Sequence, residues 1–197
     1  MPDADLFDAI KGGRASVATD TIERFTPTGI RLDSGNELEA DIVVTATGLE
    51  LQLLSGVEFR IDGEVKNLAN TLNYKGMMFS DVPNLAYFFG YTNASWTLKA
   101  DLTATYVCRL LNTMRKRGLR QVTPRNDDPS VTEQPFLDFT SGYVQRALDH
   151  LPKQGSRKPW RVNQNYALDI MALKFGSVDD SMEFSNPVGS VREREAA

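Results

Sequence analysis

Apolar positions along this chain follow two periods. Over residues 95–117 they recur at helical spacing: Leu98, Leu102, Tyr106, Leu110 and Met114 are four apart, with Val107 and Leu111 beside them. That spacing gathers them on one face of a long amphipathic helix. Asn93 or Ser95 can cap its start, Arg115, Lys116 and Arg117 suit the negative end of its dipole, and Gly118 stops it. The basic cluster is therefore read as a helix end rather than as a phosphate site. Shorter helices are expected over residues 3–11, stopped by Gly12-Gly13, over 138–151, stopped by Pro152, and over 165–174. The first starts almost at residue one with nothing before it to pack on, as truncation would leave it.

The other period is that of strands. Residues 15–24, 28–32 and 37–45 read as a β-meander joined by Thr26-Pro27 and Asp33-Ser34-Gly35-Asn36. It leads into Ile42, Val43 and Val44, three adjacent β-branched residues that suit a strand buried on both faces. That strand ends in Ala46-Thr47-Gly48, where a glycine permits a sharp turn or close approach to the main chain. Ligands gather at such strand ends in α/β proteins. Asp62-Gly63 marks a hairpin between residues 57–61 and 64–66. Residues 74–80 and 85–89 are further extended segments, the second apolar enough for an interior strand ending in Gly90. Another strand is expected at 119–122, a polar loop at 123–130 and a basic linker at 153–158. The fold class is thus mixed α/β: a meander leading into a buried strand, further strands, one long amphipathic helix and C-terminal helices. Residues 1–178 are assigned to this body and 179–197 to a disordered tail.

The composition narrows the function. With 41% hydrophobic and 24% charged residues among 197, the chain has the makings of a core. A net charge of −4 argues against a nucleic-acid partner. The sequence has no run apolar enough for a membrane span and no secretory leader pattern, so a cytoplasmic location is expected. One cysteine, Cys108, rules out an internal disulfide, and its place inside the long helix suggests a buried, inert thiol. With one histidine, His150, no nucleophilic triad can be assembled. The pairs Asp127-Asp128 and Asp179-Asp180 read as loop solvation, and no metal site is expected.

Two stretches carry a resemblance. The run from Asp41 to Ala46-Thr47-Gly48 resembles the Ala-Thr-Gly signature near the C-terminal end of class B flavoprotein monooxygenases, the family of Baeyer-Villiger and flavin-containing monooxygenases. More specific are Tyr74-Lys75-Gly76-Met77-Met78-Phe79-Ser80-Asp81-Val82-Pro83-Asn84 and the run from Gly90-Tyr91-Thr92-Asn93-Ala94-Ser95-Trp96 to Leu102. These are similar to the ethionamide-activating type within that family, and the similarity runs from Asp3 to about Asp180. The family's Gly-x-Gly-x-x-Gly loops for FAD and NADPH, and the fingerprint between them, do not occur in this sequence.

The resemblance implies the C-terminal portion of a two-dinucleotide-binding flavoprotein fold, with FAD and NADP as cofactors of the complete enzyme. The implied reaction, on a small-molecule substrate, is oxygen insertion into a ketone, or oxidation of a sulfur-containing compound, through a flavin peroxide. It also implies that Thr47 and Gly48 lie on one side of the flavin and that Asn93, Ala94, Ser95 and Trp96 lie at a helix start on the other. Taken by themselves, Asn93 and Ser95 are helix caps and Trp96 is core. No catalytic residue is assigned. Three readings follow: a C-terminal fragment inactive alone, a binding module without chemistry, or one chain of a split enzyme completed by a second chain. The first also implies self-association through apolar surface meant for the absent N-terminal flavoprotein region.

Overall fold

The computed structural model describes residues 4–187, which divide into two units at Thr47 and Gly48. In the first, helix α1 (Asp5–Lys11) opens the chain and buries none of its residues. The Asp3 cap expected from sequence lies outside the described residues. Strands β1 (Ile22–Thr26), β2 (Gly29–Leu32) and β3 (Glu37–Glu39) form the expected antiparallel meander. Phe25 faces Ile30 across the first pair, and Ile30 faces Leu38 across the second. Both outer strands are shorter than the apolar pattern suggested.

The expected interior strand at Ile42, Val43 and Val44 is absent. These residues form no ladder, and Ile42 and Val44 are each 82% exposed. β-Branched residues make a buried strand only where neighbouring strands complete their hydrogen bonds, and among the described residues none pairs here.

In the second unit the Asp62-Gly63 turn joins β4 (Phe59–Ile61) to β5 (Glu64–Lys66), as the sequence signalled. Strands β6 (Asn73–Tyr74) and β7 (Met78–Phe79) form a second short hairpin, where one extended segment was expected. Its turn residues Lys75 (φ 50°) and Gly76 (φ 76°) are both left-handed. Residues 85–89, expected as an interior strand, stay outside any sheet. Tyr87 is buried and stacks on Phe79 with ring centroids 4.6 Å apart, while Phe88 is 56% exposed. Side-chain stacking rather than strand pairing fixes this segment.

Helix α2 (Trp96–Arg117) matches the expected span. Gly118 closes it in the left-handed conformation, with its N–H on the Arg115 carbonyl and that of Leu119 on Met114. Leu102, Tyr106, Leu110 and Met114 bury their side chains among Tyr74, Met77, Met78 and Trp160. At the centre the Tyr74 and Tyr106 hydroxyls meet at 3.0 Å, and Tyr74 donates to the Asp180 carbonyl at 2.6 Å. Cys108, expected to be buried, is exposed, because it falls off the face shared by Leu102 and Tyr106.

Strand β8 (Gln121–Pro124) follows, then β9 (Glu133–Pro135) and α3 (Gly142–Ala147), a shorter helix than the apolar spacing suggested. The expected basic linker contains a strand, β10 (Lys153–Gly155), antiparallel to β9. Helix α4 (Tyr166–Asp169) is capped by the Asn165 side chain and widens into a π-helical turn, Ile170–Phe175. Beyond it, inside the stretch expected to be a disordered tail, β11 (Met182–Ser185) pairs with β8. Arg125 bridges Glu183 and Asp81 across this ladder, and Arg117 grips Asp179 with both terminal nitrogens at 2.6 and 2.7 Å. Residues 188–197, the rest of that tail, lie outside the described residues. The unit is a mixture of helices and small sheets, as the fold class anticipated.

Candidate functional site

The sequence-predicted residues divide between the units. Thr47 is the last residue of the first and is exposed. Gly48 opens the second with φ +96°, a backbone that suits glycine, and a Cβ built on it would lie 3.4 Å from Tyr143 Cβ. The close neighbour at this turn is therefore a tyrosine side chain. Gly90 is more tightly constrained. A Cβ there would lie 2.1 Å from Cγ of Trp96, so the indole of the first α2 residue folds back onto the Gly90 main chain. Trp96 is not core: it is 59% exposed and leans on Phe89 with ring centroids 5.1 Å apart.

Asn93, Ala94, Ser95 and Trp96 are brought together at the start of α2, all exposed. Neither expected cap forms. Ser95 occupies the cap position, but its hydroxyl meets Thr97 Oγ1 at 2.8 Å instead of a helix N–H. The Asn93 amide donates to the Gln164 carbonyl at 3.2 Å, and the Thr92 N–H and hydroxyl both donate to Gln164 Oε1. Gln164 thus pins the loop while the first turn of α2 has no side-chain cap. An uncapped helix start presents N–H donors and about half a unit of positive charge. Beside it runs an apolar groove of about 430 Å³, lined among others by Phe89, Trp96, Phe136 and Tyr143. Through Tyr143 the groove connects the Gly48 turn with Trp96.

Beneath the helix start lies a group that sequence reasoning missed. Lys99 Nζ stands 2.6 Å from Asp169 Oδ2, with both side chains 3% exposed. The Tyr91 hydroxyl donates to the same oxygen at 2.7 Å, and Asn163 reaches the other at 3.4 Å. Burial pushes the Lys99 ammonium below its ordinary value, while the Asp169 charge and hydrogen bond work against that shift. The Tyr91 hydroxyl is pushed upward, first by burial and then by Asp169. A signal existed: Lys99 lies three and seven residues before Leu102 and Tyr106, so it sits on the buried face of α2. The network ties the segment after Gly90 and the first turns of α2 to α4.

Comparison with known proteins decides the lineage. The chain is 58% identical over 180 residues to the FAD-containing monooxygenase EthA of Mycobacterium tuberculosis, a match covering 91% of this chain and 37% of that protein. This chain corresponds to the C-terminal portion of an FAD-containing monooxygenase. It is 51% identical over 185 residues to EthA of Mycolicibacterium smegmatis, covering 93% of this chain and 38% of the relative. A protein of Acinetobacter baylyi named "Probable FAD-binding monooxygenase AlmA" is 50% identical over 183 residues, covering 92% and 37%. The chain thus spans little more than a third of the length of these relatives. No family model matches it, and neither does a solved structure. No helix among the described residues is long and apolar enough to cross a membrane.

Proposed function

We propose that this chain supplies the flavin-facing C-terminal portion of an FAD- and NADPH-dependent monooxygenase of Baeyer-Villiger type, built on a two-dinucleotide-binding fold and acting in the cytoplasm. The observation that carries the reading is the 58% identity to an FAD-containing monooxygenase across nine tenths of the chain. The residues suit one end of the cofactor. Asn93, Ala94, Ser95 and Trp96 border an uncapped helix start, where N–H donors favour an oxygen or nitrogen atom bearing negative charge. By the resemblance, Thr47 and Gly48 belong beside the flavin as well. The adjoining apolar groove accepts the body of a small-molecule substrate. The pyrophosphate end has no counterpart, because no Gly-x-Gly-x-x-Gly turn occurs in the sequence.

Bound FAD would supply the redox chemistry, hydride acceptance from NADPH and dioxygen activation for transfer of one oxygen atom to a ketone or a sulfur compound. This chain's residues hold and orient the ring. Gln164 and the Lys99–Asp169 pair keep the loop at residues 92–95 in place, and Trp96 forms a wall of the groove. Alone, the chain retains no flavin and self-associates through apolar side chains such as Ile42, Val44, Phe88 and Trp96, which in the complete enzyme meet the N-terminal flavoprotein region. The test is a chimera in which this chain replaces the matching portion of EthA from Mycobacterium tuberculosis. NADPH-dependent oxygen uptake with a ketone substrate is expected, and a folded chimera without it overturns the proposal.

A further inference from the structure

On the second unit a cavity of about 260 Å³ lies between the β6–β7 turn, residues 158–163 and the π-helical end of α4. Another of about 560 Å³ adjoins it, and Lys158, Arg161, Asn163 and Leu168 line both. Lys75 lies on the first and Arg157 on the second. The acidic lining residues are Asp169 and Asp180. Asp169 is already engaged by Lys99, and Asp180 stands 3.5 Å from Lys75 Nζ. Arg157 has only a distant partner, Asp128 at 3.7 Å. Lys158 and Arg161 form no ion pair with any described carboxylate, whereas Arg117 and Arg125 at the β8–β11 ladder are fully engaged. In a chain of net charge −4 this is a local concentration of uncompensated positive charge.

Lys75 gives the cluster depth. Its side chain is 7% exposed, its ammonium sits over the Tyr74 and Tyr106 rings, and its hydrogen bond goes to the Ser177 carbonyl at 3.2 Å. Burial holds its pKa below the ordinary value, a penalty that an anion in the cavity would offset. Leu168, Met171 and Leu173 add apolar wall for the body of a ligand.

The geometry points to a binding site for a phosphate group of a small soluble molecule, with Arg161 and Lys158 on its rim and Lys75 at its base. A guanidinium offers two parallel N–H bonds to an oxyanion, and the lysines add point charges. Asp180 already faces Lys75, so Lys158 and Arg161 leave two charges unbalanced, which suits a phosphate monoester carrying about −1.5 to −2 at neutral pH. This site shares Asp169 with the network beneath the α2 start but does not rest on the flavin reading.

Calorimetric titration of the 197-residue chain with inorganic phosphate, adenosine monophosphate and acetate tests it. Saturable binding of both phosphates, with acetate far weaker, is expected. Tighter binding of the nucleotide assigns the site to a nucleotide phosphate, and equal binding assigns it to free phosphate. The double variant Lys158→Gln/Arg161→Gln should lose at least about tenfold in affinity. Arg115→Gln/Lys116→Gln makes the same charge change outside both cavities and should bind as the parent does. Arg161→Lys, which keeps the charge without the fork, should fall between. Absence of saturable phosphate binding, or equal losses in the two double variants, overturns the proposal.

Discussion

Replacing Lys99 with methionine removes the ammonium from the Asp169 carboxylate while keeping a stem of similar length. The carboxylate stays buried, with the Tyr91 hydroxyl at 2.7 Å and a weak bond from Asn163. Both contacts already exist in the parent, so neither offsets the loss. An unpaired buried charge of this kind costs about 3–5 kcal/mol. A domain is stable by about 5–15 kcal/mol, so the change consumes between about a fifth and all of that. Asp169→Asn inverts the problem, leaving Lys99 without a counterion. Its folded pKa, already lowered, falls further below the 10.5 of the unfolded chain. The unfolded state then binds the extra proton, so this variant's deficit should shrink as pH rises toward that value. Lys99→Met/Asp169→Leu buries no charge and should recover most of the single-variant losses. Urea unfolding followed by emission of Trp160, which is 1% exposed, reads the core directly. A Lys99→Met variant within about 0.5 kcal/mol of the parent would mean that the Asp169 charge does not depend on Lys99.

Three further outcomes are expected. Gly90→Ala should cost about 1–3 kcal/mol and shift Trp96 emission toward that of a solvated indole, because the new methyl occupies the indole's place; Gly13→Ala, with nothing within 4 Å of its Cβ, should leave the emission unchanged. Ser95→Ala should change the thermal midpoint negligibly, since the hydroxyl caps no helix N–H, and a loss of about 1 kcal/mol would restore it as a cap. Arg117 holds the Asp179 carboxyl below its ordinary value, so the pair's contribution is present above the unfolded value of 3.8 and is lost as pH falls through the lower folded one; the midpoints of parent and Asp179→Asn should differ at neutral pH and converge in strong acid.

What the sequence made legible were elements whose signals are local. The 22-residue α2, with its periodic face and glycine stop, and the Asp62-Gly63 hairpin are written in neighbouring residues. Elements that depend on distant partners were misread. Ile42 to Val44 have strand chemistry without a strand to pair with, and Met182 to Ser185 look like polar tail until Gln121 to Pro124 supplies the ladder. The candidate site divides in the same way. Gly48, Gly90 and the α2 start stood out by motif and resemblance. Asp169 meets Lys99 seventy residues away, and no local pattern announces that contact.

As proposed, this chain completes a flavin site that it does not form alone. The decisive quantity is the flavin retained after gel filtration in excess FAD by the chain and by the EthA chimera. Bound flavin is expected in the chimera, with the chain alone colourless and self-associating. A yellow, monodisperse monomer from the 197-residue chain alone would contradict it.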